Sequence, residues 1–171
     1  VRALRAGEDA VRAYPTAVRI VLQRVSEASV TVDGETVGAI DRGYLLLVGV
    51  GPDDTATTAA KAADRVVGLR LFPNPDEPAR KPIDVDLATV DGAVLAVSQF
   101  TLYADTSRGR RPSFTGAAAP AHADAVYDAF VDALRGLGVH TETGRFGAHM
   151  DVALVNDGPV TITLDIEEPP T

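Results

Sequence analysis

The sequence predicts an α/β protein: a mixed, largely antiparallel twisted sheet with two main helices on one face. Three observations predict it. Branched apolar runs open and close the chain, two stretches carry apolar residues at helical spacing, and strand-like runs precede and follow each of those stretches. At 171 residues the length suits one domain with a sizeable core.

From Val18, "VRIVLQRV" and "ASVTVDG" are runs of branched residues, and "DGETVGAI" continues them after a turn at Asp33 and Gly34, which predicts an antiparallel opening hairpin. "GYLLLVGV", Gly43 to Val50, is apolar without alternation and reads as a central strand covered on both faces. "GPDD" breaks it, and Asp53 or Asp54 caps a helix beginning near Thr55, with Ala60, Ala63, Val67 and Leu71 on its inner face. Pro73, Pro75, Pro78 and Pro82 make the next stretch a loop. "AVLAVSQFTLYAD", from Ala93, reads as another strand. Ala123, Val126, Tyr127, Phe130 and Leu134 mark a second helix, ended by Gly136 and Gly138. Two strands, "VALV" and "PVTITLDI", complete the fold. With helices on one face only, the other face needs covering by sheet closure or by a partner chain, and a homodimer is the simpler expectation. Residues 1–17 read as a disordered extension, 18–166 as the single domain and 167–171 as a frayed tail.

Composition narrows the function classes. Lys+Arg 16 against Asp+Glu 24 gives a net charge of -8, which argues against an extended grip on a nucleic-acid backbone but leaves a short contact through a local basic patch open. The absence of cysteine excludes a disulfide framework, a thiol nucleophile and a cysteine-ligated zinc site. No apolar stretch approaches the roughly 18 residues of a membrane span, so the chain reads as soluble, with no membrane partner.

Three stretches can carry chemistry. "SQFTL", Ser98 to Leu102, places hydroxyl and amide groups where an apolar strand runs out; alternation puts Ser98, Phe100 and Leu102 on one face, and Gln99, Thr101 and Tyr103 on the other. Ligands of such sheets gather beyond the carboxyl ends of strands, and amides freed there can stabilise an oxyanion. The plainer reading is a strand end with satisfied hydroxyls. "TSRGRRPSF" clusters Arg108, Arg110 and Arg111, which suits a phosphate or nucleotide contact and equally suits a solvated loop. In "NDGPVTITLDI", Pro159 cannot donate to a sheet ladder and must start a strand or lie on an edge; Gly158 and Pro159 can form a rigid device that exposes main-chain carbonyls, but the residues alone favour the plainer reading, a turn that starts a strand. His122 and His140 offer little, and His149 lies in "FGAHMDV" without a readable role. No Ser-His-Asp constellation and no metal-ligand spacing is present, so no metal or other cofactor is expected and the substrate should already be activated.

Taken in order, these stretches resemble the D-aminoacyl-tRNA deacylases. The likeness covers nearly the whole chain from Val18 onward: "SQFTL" and "NDGPVT", Asn156 to Thr161, look like the family's two signatures, joined by "RPSF", Arg111 to Phe114, and "FGAHMDVALV". The resemblance implies a cytoplasmic homodimeric enzyme that hydrolyses the ester joining a D-amino acid, or misattached glycine, to the 3'-terminal adenosine of tRNA. It implies further that Gly158 and Pro159 form a cis pair reaching into the neighbouring subunit's pocket, where their carbonyls crowd the space of an L side chain, and that Arg24 holds that element. Ser98, Gln99 and the Phe100 amide match the positions that cradle the ester, with Thr101 a candidate nucleophile that lacks a visible base. Asn156, Thr161, Arg111, Phe114 and Met150 fall in the matching substrate-binding segments. The alternative is a non-catalytic nucleic-acid or protein binding module on the same fold.

Overall fold

A computed structural model describes residues 17–77, 79 and 81–167, so the expected extension and tail lie outside the described residues apart from Ala17 and Glu167. Ala17 is buried and its carbonyl accepts the Tyr103 hydroxyl, while the Glu167 carbonyl accepts Lys61 Nζ at 2.8 Å.

The organising element is β1, Val18–Val32, a single strand of 15 residues where the sequence suggested two runs. On one side it pairs along its length with β6, Asp151–Ile166; on the other it pairs with β3, Gly43–Gly49, through Arg19 to Val25, and with β2, Glu35–Ile40, through Ala28 to Val32. Irregular register around Val25 switches the face that β1 buries. Val18, Ile20 and Leu22 therefore enter the core beneath the helices, and Val25, Ala28, Val30 and Val32 enter a second core on the opposite face. Asp33 and Gly34 turn β1 into β2 with positive φ at both positions, the geometry of a two-residue hairpin that follows the strand twist.

β3 continues in parallel with β4, Ala93–Ser98, and β4 with β5, Thr141–Thr143. Alternate residues of the central pair serve both cores: Tyr44, Leu46, Val94 and Ala96 one, Leu45, Leu95 and Val97 the other. This is why neither segment alternates in hydropathy.

The helices are α1, Ala56–Val67, and α2, Pro120–Gly136. Thr55, not Asp53 or Asp54, caps α1, in a reciprocal arrangement with Thr58. Asp54 instead turns inward and accepts the Gly51 amide at 2.7 Å. The buried face of α1 is Ala59, Ala62, Ala63 and Val66, one residue off the expected stripe, and Leu71 packs beyond the helix end. Those alanines let α1 lie close to α2, whose Val126, Tyr127, Phe130, Val131 and Leu134 complete the first core.

The mixed sheet with two helices on one face is thus as expected. Sheet closure covers part of the second face, because β2 curls over toward β5: a Cβ on Gly38 would stand 2.4 Å from the Thr143 carbonyl oxygen. Two details differ. The last two expected strands are one, since β1 offers a continuous template to β6. And β4 stops at Ser98, after which Phe100–Tyr103 form a 3-10 turn, so strand alternation does not apply to them: Tyr103 is buried, and Phe100 and Thr101 are exposed.

Candidate active site

The parallel strands β3 and β4 end side by side, and the Gln99 amide is pinned to the Val48 carbonyl at 2.7 Å. Beyond this end lies a cleft of about 560 Å³. Its floor is Val48, Val50, Val97, Ser98 and Gln99; one wall is Phe100 and Phe114; another is the approach to α2, Ala117, Ala118, Pro120 and Ala123; the fourth is the segment Phe146–Met150 with Val152. The cleft exists because the residues leading into α2 are small. Met150 is held by close approach to Gly144, where a Cβ would stand 2.5 Å from the methionine sulfur.

Polar groups are few. Ser98 and Gln99 are half-buried at the floor, and Gln99 stands at the cap of the 3-10 turn without a side-chain bond to its first amides. Such amides have no acceptor inside a helical turn, so the Phe100 amide is a donor at the mouth of an apolar cleft, the arrangement that stabilises a developing oxyanion. The Gln99 side chain instead donates from Nε2 to Thr101 Oγ1. Thr101 is exposed and does not line the cleft, and no base accepts its hydroxyl proton among the described residues. Among the described residues, His149 is the one ionisable side chain on the lining. No cluster of three or more His, Asp or Glu that could hold a metal ion occurs among the described residues, and no helix among them is long and apolar enough to cross a membrane.

Of the candidates named from sequence, Ser98, Gln99, Phe100, Phe114 and Met150 meet in this cleft; Thr101, Arg24, Arg111, Asn156, Gly158, Pro159 and Thr161 do not line it. Phe146 and the Ala117, Ala118, Ala123 group were missed. The run of small residues at 116–123 was the available signal, for a helix entry without bulk is where space remains.

The second cluster sits on β6. The Gly158-Pro159 peptide is cis, and both residues are exposed on a strand that, among the described residues, pairs with β1 alone, so Pro159 occupies an edge, as a residue without an amide hydrogen must. Asn156 braces the kink: its Oδ1 accepts the Val160 amide at 2.8 Å, and its Nδ2 donates to Thr161 Oγ1 at 3.1 Å. Gln23 Nε2 also donates to Thr161 Oγ1, at 3.2 Å. Beneath it Arg24, only 5% exposed, donates from Nε to the Asp157 carbonyl at 2.7 Å and from one Nη to the carbonyls of Leu71 at 2.5 Å and Pro82 at 2.9 Å. The Asp157 carboxylate lies 3.4 Å from the same Nε. A buried guanidinium thus ties the kink to the proline loop.

Comparison with known proteins adds the following. The family model described as D-Tyr-tRNA(Tyr) deacylase matches residues 21–165. A D-aminoacyl-tRNA deacylase of Thermomicrobium roseum is 57% identical over 151 residues, covering 88% of this chain and 96% of that protein. One of Exiguobacterium sp. is 55% identical over 148 residues, 86% and 98% of the two chains. Among solved structures, a c-Myc DNA unwinding element binding protein superposes with a TM-score of 0.78 at 35% identity, over 90% of this chain and 99% of that one. A probable eukaryotic D-amino acid tRNA deacylase shares the fold, with a TM-score of 0.77 at 19% identity over 88% and 100%.

Proposed function

The chain belongs to the D-Tyr-tRNA(Tyr) deacylase family, and from that premise we propose that residues 18–166 form a deacylase domain, acting in the cytoplasm, that hydrolyses the ester between a D-amino acid, or misattached glycine, and the 3'-terminal adenosine of tRNA. The observation that carries this reading is the apolar cleft whose floor offers Ser98, Gln99 and the Phe100 amide and no ionised nucleophile. An aminoacyl ester is already activated, so orientation and oxyanion stabilisation suffice. A water adds to the ester carbonyl, the 2'-hydroxyl of the substrate's ribose assists its deprotonation, the Phe100 amide holds the oxyanion, and the 3' oxygen leaves with the proton. Thr101 is a poor nucleophile here, since the Gln99 amide already engages its oxygen.

Chirality is read by a second subunit. Gly158 and Pro159 stand outside their own cleft on the exposed edge strand, with Arg24 and Asn156 fixing their direction, and in a homodimer they enter the partner's cleft. Their carbonyls then occupy the volume of an L side chain, and selectivity arises by exclusion. Deacylation of matched D- and L-tyrosyl-tRNA tests this: turnover of the D ester alone is expected, and equal rates on both would remove the chiral assignment. The 35% identity to a DNA unwinding element binding protein favours, as a second reading, a binding module without catalysis. Turnover of neither ester would establish that reading instead.

A further inference from the structure

Phe100 is 56% exposed, an unusual position for a large apolar ring when every other aromatic side chain among the described residues is buried or half-buried. Its orientation is nevertheless set. The ring meets Phe114 edge to face, with centroids 5.1 Å apart and planes at 74°, and both line the mouth of the cleft. Between these two residues in sequence runs the arginine loop. Its base is closed by a two-way backbone pair, Asp105 amide to Ser113 carbonyl at 2.7 Å and Ser113 amide to Asp105 carbonyl at 2.9 Å. The Asp105 carboxylate accepts the Ser107 amide at 2.9 Å, so the ends of the loop are tied and Arg108, Arg110 and Arg111 are carried out into solvent. Arg108 faces the charge of Asp105, whereas Arg110 and Arg111 have no ion-pair partner among the described residues.

An ordered, solvent-facing aromatic ring at the foot of a tied loop that carries unpaired guanidinium groups is the equipment of a single-stranded nucleic-acid contact: bases stack on the ring while phosphates meet the arginines. A duplex cannot use it, because stacked and paired bases offer no free face. We propose that the Phe100–Phe114 ledge stacks the base of the unpaired nucleotide immediately 5' of the terminal adenosine, and that Arg110 contacts the phosphates of this single-stranded end. The inference rests on the deacylase reading for the position of the adenosine, and it adds that the enzyme measures an unpaired 3' end of at least two nucleotides. It also explains how an acidic chain engages RNA, since the contact is confined to one loop.

The test uses an uncharged RNA hairpin with a single-stranded CCA end, compared by fluorescence anisotropy with the same hairpin carrying an abasic site at the penultimate position. In the unmodified protein the abasic site should weaken binding roughly 5- to 150-fold, the range for one base stacked on an aromatic side chain. The penalty should vanish in Phe100→Leu and Phe114→Leu. In Arg110→Ala it should persist, while the slope of log affinity against log salt falls by about 1. Equal binding of the two hairpins by the unmodified protein overturns the proposal, as does a penalty that survives in both phenylalanine variants. A change of subunit stoichiometry in Phe100→Leu, read by sedimentation, also overturns it, since the ring would then be covered by protein. Turnover of D-tyrosyl-tRNA is measured separately: an active enzyme indifferent to the abasic site refutes the stacking alone, and an inactive protein with the full penalty refutes the deacylase reading alone.

Discussion

Replacing Arg24 by methionine removes the guanidinium that joins the Asp157, Leu71 and Pro82 carbonyls, and whose carbon lies 6.0 Å from the Phe72 ring centroid, while keeping an unbranched apolar stem. Hydrogen bonds to a charged group contribute about 1.5–3 kcal/mol each, and relief of the buried charge from desolvation offsets several kcal/mol, so the net loss of stability should be about 2–4 kcal/mol. Asp157→Asn is the counter-experiment. Its carboxylate is half-exposed and 3.4 Å from Nε, and its loss should cost less than about 1 kcal/mol because the backbone carbonyl stays in place. Urea denaturation measures the first quantity, and the ratio of D- to L-tyrosyl-tRNA deacylation reads whether the kink still points where it should. Arg24→Met should lower that ratio and Asp157→Asn should leave it within a few-fold. If the methionine variant fails to fold, Arg24→Lys, which keeps the charge but cannot reach three acceptors in one plane, should show the same order of effects in weaker form. Equal damage from Arg24→Met and Asp157→Asn, or none from either, would refute the argument that the guanidinium works through the main chain.

Other predictions concern the two halves of the site and the core. In Gly158→Ala a Cβ would stand 2.4 Å from the Val160 nitrogen, an atom fixed by Asn156, so the kink must shift; a stability loss of about 1–3 kcal/mol and a reduced D/L ratio are expected, checked by denaturation and deacylation assays. Thr101→Ala should retain single-turnover hydrolysis within about tenfold, because catalysis by the Phe100 amide and a water does not use the hydroxyl; abolished turnover with intact substrate binding would return Thr101 to the role of nucleophile. Burial pushes the phenols of Tyr44, Tyr103 and Tyr127 upward, Tyr103 to about 12. A raised phenol holds its proton more tightly in the folded state, so stability is complete below pH about 10 and is lost as pH rises through the folded values. Absorbance titration at 295 nm should therefore show these three ionising late and together with unfolding; reversible ionisation at pH about 10 in the folded protein would contradict their burial.

The central strands were legible because a strand buried on both faces has no choice of composition: Gly43–Val50 and Ala93–Val97 must be apolar throughout. The start of α1 was misplaced by one residue because Asp54 and Thr55 are both good caps, and the competition was decided by the Gly51 amide, which claims the Asp54 carboxylate. The break after Ser98 was read as strand because the alternation of "SQFTLY" imitates one; the 3-10 turn that replaces it follows from Tyr103 being drawn inward to the Ala17 carbonyl, eighty-six positions away. The cleft lining contributed by Phe146 and the alanines before α2 carried almost no local signal, since empty space is a property of several segments at once.

By itself, the order of residues determined the two helices, the sheet strands and the polar strand end, because these depend on side-chain periodicity, while at Gly158-Pro159 it limited the backbone to what glycine and proline permit. Tertiary structure decided that β1 and β6 are each one long strand, that β2 closes the second core, and that Arg24 reaches carbonyls from three separate segments. Those outcomes come from pairings between residues tens of positions apart. Their free energy resides in the contact and not in either partner alone.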